Sequence, residues 1–375
     1  MTNLVPGPDP LGLPAPVWLL VTLLVVTHAL HMVFMNFALA GSWVLCALMV
    51  GRESEWKKML YERMMAVLPV AISLAITFGI APLLFVQVLY GQFFYVANVL
   101  LGFFWLAILA LLMVGFYTVY VLKARRPEGG EKRIAARPLR LLLHLGVASA
   151  FTAIAFLFTT NAALSQHPEL WPLARAGSPV GSVWREAGLA VPRFLHNLVG
   201  SFGIGGLWLV WIALFRGSDE EAEKGARLGA MVSLVATAIQ MVIGFWYLLS
   251  LPEGVLKRFL TFATPGSFSL ILGILLAVGL FLALFFLSQA PSHARLRWIA
   301  SALAAAVLLL MSATNEALRE ELLREHFTLP EWTVRTQWGP ILVFLAVFVA
   351  GLAVVAWLAR VAWRAHNPRG AEPSS

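Results

Sequence analysis

Nine long apolar runs constrain this chain more than any other feature of its sequence. Most exceed the roughly 20 residues that an α-helix needs to cross the hydrocarbon core of a bilayer. Hydrophobic residues make up 60% of the 375 residues and charged residues only 12%, which excludes a soluble globular domain. We therefore predict an all-α membrane protein with about nine transmembrane helices. The predicted spans are 17–48, 64–90, 97–122, 140–164, 192–215, 228–250, 267–288, 297–318 and 338–362.

The distribution of positive charge predicts the orientation of these spans. If the N-terminus lies outside, the inner segments hold 19 Lys and Arg and the longer outer segments hold 8. The positive-inside rule then favours an outer N-terminus and an inner C-terminus, in a bacterial cytoplasmic membrane. The net charge of +8 is explained by this inner rim, so no nucleic-acid partner is expected. The one cysteine, Cys46, excludes an internal disulfide, and no C-x-x-C-H motif for covalent haem attachment is present.

Two stretches of the chain resemble each other around a shared histidine. Ala29–Trp43 aligns with Phe194–Trp208 at an offset of 165 residues, which makes His31 equivalent to His196. The aligned stretches also share a glycine and a tryptophan, and each runs into a charged loop. An ionisable residue repeated at the same depth of a membrane helix carries more weight than matching apolar residues.

A second similarity lies at the end of the fourth span of each half. Thr159–Trp171 aligns with Ala313–Trp332 at an offset of 154 residues, so that Asn161 matches Asn315. The shorter offset places the missing residues in the third loop of the second half. Both similarities together predict two parallel four-helix repeats followed by one extra helix.

This duplication divides the chain into seven predicted segments. They are an outer N-terminal segment (1–16), a first repeat (17–165), an outer loop (166–191), a second repeat (192–320), an outer loop (321–337), a ninth helix (338–362) and a cytoplasmic tail (363–375).

The two equivalent histidines predict a cofactor site. His31 and His196 each lie 20 residues before an inner loop, or about 30 Å along a helix, which places them near the outer leaflet. Two symmetric imidazoles are suitable axial ligands for the iron of haem b. Residues on the same helix faces complete the predicted site. His28 and Arg193 are expected at propionates, Gly200 and Gly203 would clear space, and Met35 is an alternative ligand.

A structural role for the same residues is the competing interpretation. Glycines in membrane helices commonly allow close helix packing, which is the role expected of Gly205 and Gly206. Three further residues are possible secondary site residues. Asn161 and Asn315 are expected mainly to cap backbone groups at helix ends, and His144 is expected near the inner interface.

The helix bearing His196 resembles a known group of bacterial membrane modules. His196-x8-Gly205-Gly206-Leu207, and more weakly His31-x9-Gly41, is similar to the H-x8-G-G-L helix of the copper-resistance protein D type, of the HemJ-type protoporphyrinogen oxidases and of the membrane domain of cytochrome-linked urate oxidases. The resemblance implies a four-helix module whose first-helix histidine binds haem b or copper. The tryptophan that usually precedes the first glycine is displaced in this chain, so the chemistry of those proteins does not transfer with the motif.

We expect from these features an integral-membrane, b-type cytochrome-like subunit that passes electrons between the quinone pool and a periplasmic c-type cytochrome. Besides the lipid bilayer, its expected partners are a quinone and another redox subunit, and no catalytic residue is predicted in this chain. A copper transporter that uses His28, His31, Met35 and His196 is the first alternative. A structural membrane subunit without a cofactor is the second.

Overall fold

The structure, a computed structural model, describes residues 4–124 and 137–366. Within those ranges the regular secondary structure is helical, and nine helices are long and apolar enough to cross a membrane. The nine are α1 (Val17–Leu48), α2 (Glu55–Leu101), α3 (Phe103–Ala124), α4 (Arg137–Gln166), α7 (Ala190–Leu214), α8 (Glu220–Leu249), α10 (Gly266–Gln289), α11 (Ala294–Leu323) and α12 (Trp338–His366). The short helices are α5 (Trp171–Ala176), α6 (Pro179–Glu186) and α9 (Glu253–Leu260). The predicted fold class is confirmed.

Helix α2 is the main difference from the predicted boundaries. It begins nine residues before the predicted start at 64 and extends to Leu101, past the predicted end at 90. Its charged first turns follow the cap position Ser54, and a helix outside the hydrocarbon core needs no apolar sequence. Tyr90 has non-helical backbone angles (φ −133°, ψ 29°), so the helix is kinked where the sequence predicted its end.

The helices pack as two sets of four with matching neighbours. Helices α1 and α2 form one antiparallel pair, and α7 and α8 form its counterpart; α3 pairs with α4 as α10 pairs with α11. Helices α1 and α7 contact each other, and the fourth helix of each set reaches the first helix of the other, α11 to α1 and α4 to α7. Helices α2 and α8 begin at Glu55 and Glu220, which preserves the 165-residue offset. This arrangement is that of the predicted duplication.

The third loop is shorter in the second set of helices, by 8 of the 11 residues that the change of offset predicted. Only residues 290–293 connect α10 to α11, whereas 125–136 separate α3 from α4. Residues 125–136, which form most of the predicted inner loop 123–140, and 367–375 of the predicted tail lie outside the described residues. The segment boundaries and the orientation in the membrane stay predictions.

A folded cap covers the end of the bundle at which α7 begins. The N-terminal segment pairs with the connection before α12: the Leu13 amide donates to the Thr333 carbonyl at 2.8 Å, and the Arg335 amide donates to the Leu13 carbonyl at 2.8 Å. The Trp332 indole nitrogen donates to the Leu89 carbonyl at 3.1 Å, which ties the cap to the kinked part of α2. Helices α5 and α6 pack in the same apolar cluster as Leu13. The long predicted loops are therefore ordered structure.

Candidate functional site

The two equivalent histidines lie in equivalent glycine notches on the second helix of their own repeats. A Cβ added to Gly79 of α2 would lie 2.9 Å from Cε1 and Nδ1 of His31. A Cβ added to Gly244 of α8 would lie 3.0 Å from Cε1 and 3.3 Å from Nδ1 of His196. The two glycines are 165 residues apart, as are the two histidines, so the repeats share this histidine–glycine contact.

Each ring also meets the backbone four residues before its glycine. Nδ1 of His31 donates to the Ala75 carbonyl at 2.9 Å, which leaves Nε2 with a free lone pair in the neutral ring. His196 has the Gln240 backbone as its corresponding neighbour, although Nδ1 does not reach full hydrogen-bond geometry there. The Gln240 side-chain nitrogen lies 3.4 Å from Nε2 of His196. A histidine that binds a metal through one ring nitrogen usually donates a hydrogen bond from the other nitrogen, often to a backbone carbonyl. Of these two histidines, only His31 has this hydrogen bond together with a second ring nitrogen that contacts no hydrogen-bond donor among the described residues.

The structure does not place His31 and His196 as an axial pair. Helices α1 and α7 meet at Ala40 and Gly205, where an added Cβ on Gly205 would lie 2.7 Å from that of Ala40. Each histidine lies nine residues before its contact residue, and nine residues at about 100° each place the ring on the opposite side of its helix. One iron between the two rings would require both Nε2 atoms to converge on it. These residues therefore do not fit a haem shared by both histidines, and haem b stays a prediction for either one alone.

His28 and Arg193, the equivalent residues one turn earlier, reach the fourth helix of the opposite repeat. Nδ1 of His28 lies 3.1 Å from the Ser312 hydroxyl on α11. Arg193 donates from Nη2 to Oε1 of Gln166 on α4 at 2.7 Å and from Nε to the Tyr247 hydroxyl on α8 at 2.6 Å. Both side chains therefore link the two repeats. Their predicted contacts with haem propionates stay a prediction.

The four glycines of α7 divide into two kinds of contact. A Cβ on Gly200 would lie 2.5 Å from Nε2 of Gln240, so a side chain fills the space predicted for a cofactor. Gly203 faces Thr237 at an ordinary 3.6 Å. Gly205 lies against α1, and an added Cβ on Gly206 would lie 2.5 Å from backbone atoms of α8. Gly205 and Gly206 thus serve helix packing, as predicted.

The remaining predicted residues are dispersed through the bundle. The side-chain nitrogen of Asn161 donates to Oδ1 of Asn98 at 2.6 Å, which ties α4 to α2. Asn315 is half-buried at the corresponding place in α11, and Met35 packs partly buried beside the core. His144 is buried, and its Nε2 lies 2.9 Å from the Tyr61 hydroxyl. None of these contacts joins them to His31 or His196.

A buried ionic cluster contains residues for which no role was predicted from the sequence. The Tyr90 hydroxyl donates to Oε1 of Glu316 at 2.6 Å, and Arg319 lies 3.1 Å from Oε2 of that carboxylate. The Arg319 guanidinium also stacks over the Tyr90 ring at 5.1 Å. Glu316 is only 3% exposed. A carboxylate within a predicted span was the available signal, because such residues are rare in membrane helices and are usually functional or paired.

At the cap, Glu169 links two segments that the sequence predicted as outer loops. Its carboxylate lies 2.7 Å from Nδ1 of His167 and 4.0 Å from Nε2 of His326. Burial raises the pKa of the Glu169 carboxyl, but the hydrogen bond to His167 and the electrostatic effect of the two nearby imidazoles outweigh burial and hold this pKa below its ordinary value of 4.5. This contact joins the connection after α4 to the connection after α11.

Comparison with known proteins gives a likeness of fold. No protein-family model matches the sequence, and no curated protein matches it. A chain in the structure of the bd oxidase from Geobacillus thermodenitrificans is similar in three dimensions, with a TM-score of 0.68 and 14% sequence identity. The similarity covers 93% of this chain and 97% of that chain. At this identity it shows that the two chains share a fold.

Proposed function

We propose that the chain is an integral-membrane subunit of a redox complex of the bd-oxidase type. The observation that carries the proposal is the extent of the shared fold, 93% of this chain and 97% of the other. A likeness of one hairpin would be common among membrane proteins, whereas a likeness that extends over nearly the whole of both chains is specific. Because one fold can support different chemistry, the proposal concerns the role as a subunit and does not assign the oxidase reaction to this chain.

Electron transfer between a quinone and a periplasmic c-type cytochrome is the finer form of this proposal. It requires a cofactor in this chain or at its surface. His31 supports such a role better than His196, because Nδ1 of His31 is fixed by a carbonyl and Nε2 is open. Gln240 occupies the corresponding side of His196. A haem b in this chain is therefore proposed to depend on His31 and to tolerate the loss of His196.

Isolation of the tagged full-length chain from its native membrane in mild detergent tests the subunit role. We expect a stable complex with another membrane polypeptide, whose haem is reduced when a reduced quinone is added. The proposal would be refuted if the purified chain eluted alone and without haem although the membranes still contained haem that a reduced quinone reduces. A colourless chain that binds Cu(I) would favour the copper transporter instead.

Reduced-minus-oxidised visible spectra test the finer proposal. His31→Ala should remove an α-band that His196→Ala leaves in place, and His293→Ala, at the exposed start of α11, serves as the control. If His31→Ala and His196→Ala lost the α-band equally, the result would contradict this geometry and support a haem bound by both histidines. Among the residues that the structure describes, no three His, Cys, Asp or Glu side chains group as a metal site.

A further inference from the structure

Arg193 carries a buried positive charge that its neighbours do not neutralise. The residue is only 4% exposed. Its hydrogen-bond partners, Tyr247 and Gln166, are both uncharged, and its guanidinium lies 5.6 Å over the Tyr247 ring. Nη1 is buried and has no hydrogen-bond partner among the described residues. A buried cation is strongly unfavourable unless an anion compensates it.

Two other arginines near the same end of the bundle have the partner that Arg193 lacks. Arg319 lies 3.1 Å from a carboxylate oxygen of Glu316, and Arg258 lies 2.5 Å from one of Glu321. Each of these cations is therefore neutralised within the chain. Nη1 of Arg193 has no such partner among the described residues, so an external anion would complete the same kind of pair there.

The position of Arg193 indicates where that anion comes from. Arg193 lies in the first turn of α7, at the level where a membrane-crossing helix leaves the headgroup region and where the helix dipole also favours an anion. Helix α9, which follows α8 at this end, carries the exposed side chains of Lys257 and Leu260, and the exposed Phe262 follows it. Basic and apolar side chains exposed together are typical of a membrane interface.

We propose that Arg193 binds the phosphate of an anionic phospholipid through Nη1. Tyr247 and Gln166 hold the guanidinium in place and leave only Nη1 for the ligand. This proposal is independent of the redox role, because it rests on the charge of Arg193 and not on the shared fold.

Lipid retention by the purified full-length chain tests the proposal. After delipidation, native mass spectrometry measures bound phosphatidylglycerol, and melting is compared in nanodiscs of phosphatidylglycerol and of phosphatidylcholine. We expect the wild type to retain phosphatidylglycerol and to melt higher in it, and Arg193→Gln to lose at least about tenfold in retention, as for a lost hydrogen bond to a charged group. The control Lys58→Gln, an exposed lysine in the first turns of α2, should retain the lipid as the wild type does.

Gln166→Glu keeps the test valid if Arg193→Gln fails to fold. This variant supplies Arg193 with a carboxylate, so it should fold and no longer require or retain the anionic lipid. Equal melting of the wild type in both lipids, or retention by Arg193→Gln at the wild-type level, would overturn the proposal. Stabilisation by inorganic phosphate equal to that by phosphatidylglycerol would also overturn it, in favour of a soluble anion.

Discussion

Substitution of Gly206 by alanine tests a close backbone contact between helices α7 and α8. The added Cβ would lie 2.5 Å from the Gly229 carbonyl oxygen, 2.5 Å from the Ser233 amide nitrogen and 2.8 Å from the Ser233 Cβ. All three atoms are fixed in α8, so they cannot rotate away as a flexible side chain could. Helices α7 and α8 must therefore separate by several tenths of an ångström.

The expected cost follows from three contributions. Overpacking of a close contact costs about 1–3 kcal/mol. Separation of the helices also weakens the hydrogen bond from the Ser233 hydroxyl to the Gly203 carbonyl, 2.6 Å long, which contributes about 1 kcal/mol. The higher helix propensity of alanine offsets about 1 kcal/mol. We expect Gly206→Ala to lower the free energy of unfolding by about 2 kcal/mol, and the apparent Tm by roughly 2–3 °C.

Thermal melting of the detergent-solubilised protein, followed by size-exclusion chromatography, measures this change. Gly203→Ala is the matched control, one turn away on the same helix, because its Cβ would lie an ordinary 3.6 Å from the Thr237 hydroxyl. The control should melt at or slightly above the wild type. A Gly206→Ala variant as stable as the wild type, or a control that loses as much, would refute the packing argument.

Three further substitutions test other contacts. Tyr90→Phe removes the 2.6 Å hydrogen bond to the buried Glu316 carboxylate and should cost about 1.5–3 kcal/mol, measured as a lower melting temperature of the purified protein. Gly79→Ala places a Cβ 2.9 Å from the His31 ring; it should displace the ring, lower the melting temperature and shift any haem α-band that depends on this histidine. Glu169→Gln should destabilise the protein at neutral pH and progressively less below pH 4.5, because a carboxyl with a lowered folded-state pKa stabilises above its ordinary pKa and loses that contribution as it is protonated; melting curves of both proteins over this pH range measure the difference.

The membrane helices could be predicted because bilayer thickness fixes the length of an apolar run. That signal ends with the hydrocarbon core, so it gave the apolar part of α2 and missed the charged turns from Glu55 to Arg63. The glycine notches were accessible as well, because Gly79 and Gly244 repeat at the same offset as the histidines. Comparison of all positions at that offset would have located the contact.

The ionic cluster could not be predicted in the same way. Tyr90 and Glu316 are 226 residues apart, and no periodicity relates a kink in α2 to a position in α11. The sequence marks Glu316 as unusual for a membrane helix, but only the packing of α11 identifies its partner. Likewise, helical periodicity shows that His31 and Ala40 lie on opposite sides of α1, but it does not show which helix contacts Ala40. The direction of the His31 ring relative to α7 could therefore not be predicted.

The duplication determines how the helices are arranged, but it does not determine which side chains lie at equivalent positions. His28 and Arg193 occupy equivalent positions and both contact the fourth helix of the opposite repeat. Gln166, the partner of Arg193, is equivalent to Glu320 at the 154-residue offset. At these matching places one half has Arg193 and the neutral amide of Gln166, whereas the other half has His28 and the carboxyl group of Glu320. Because the exchange reverses the charge balance at matching places, a ligand assigned to one half cannot be transferred to the other by symmetry, and each half needs its own test.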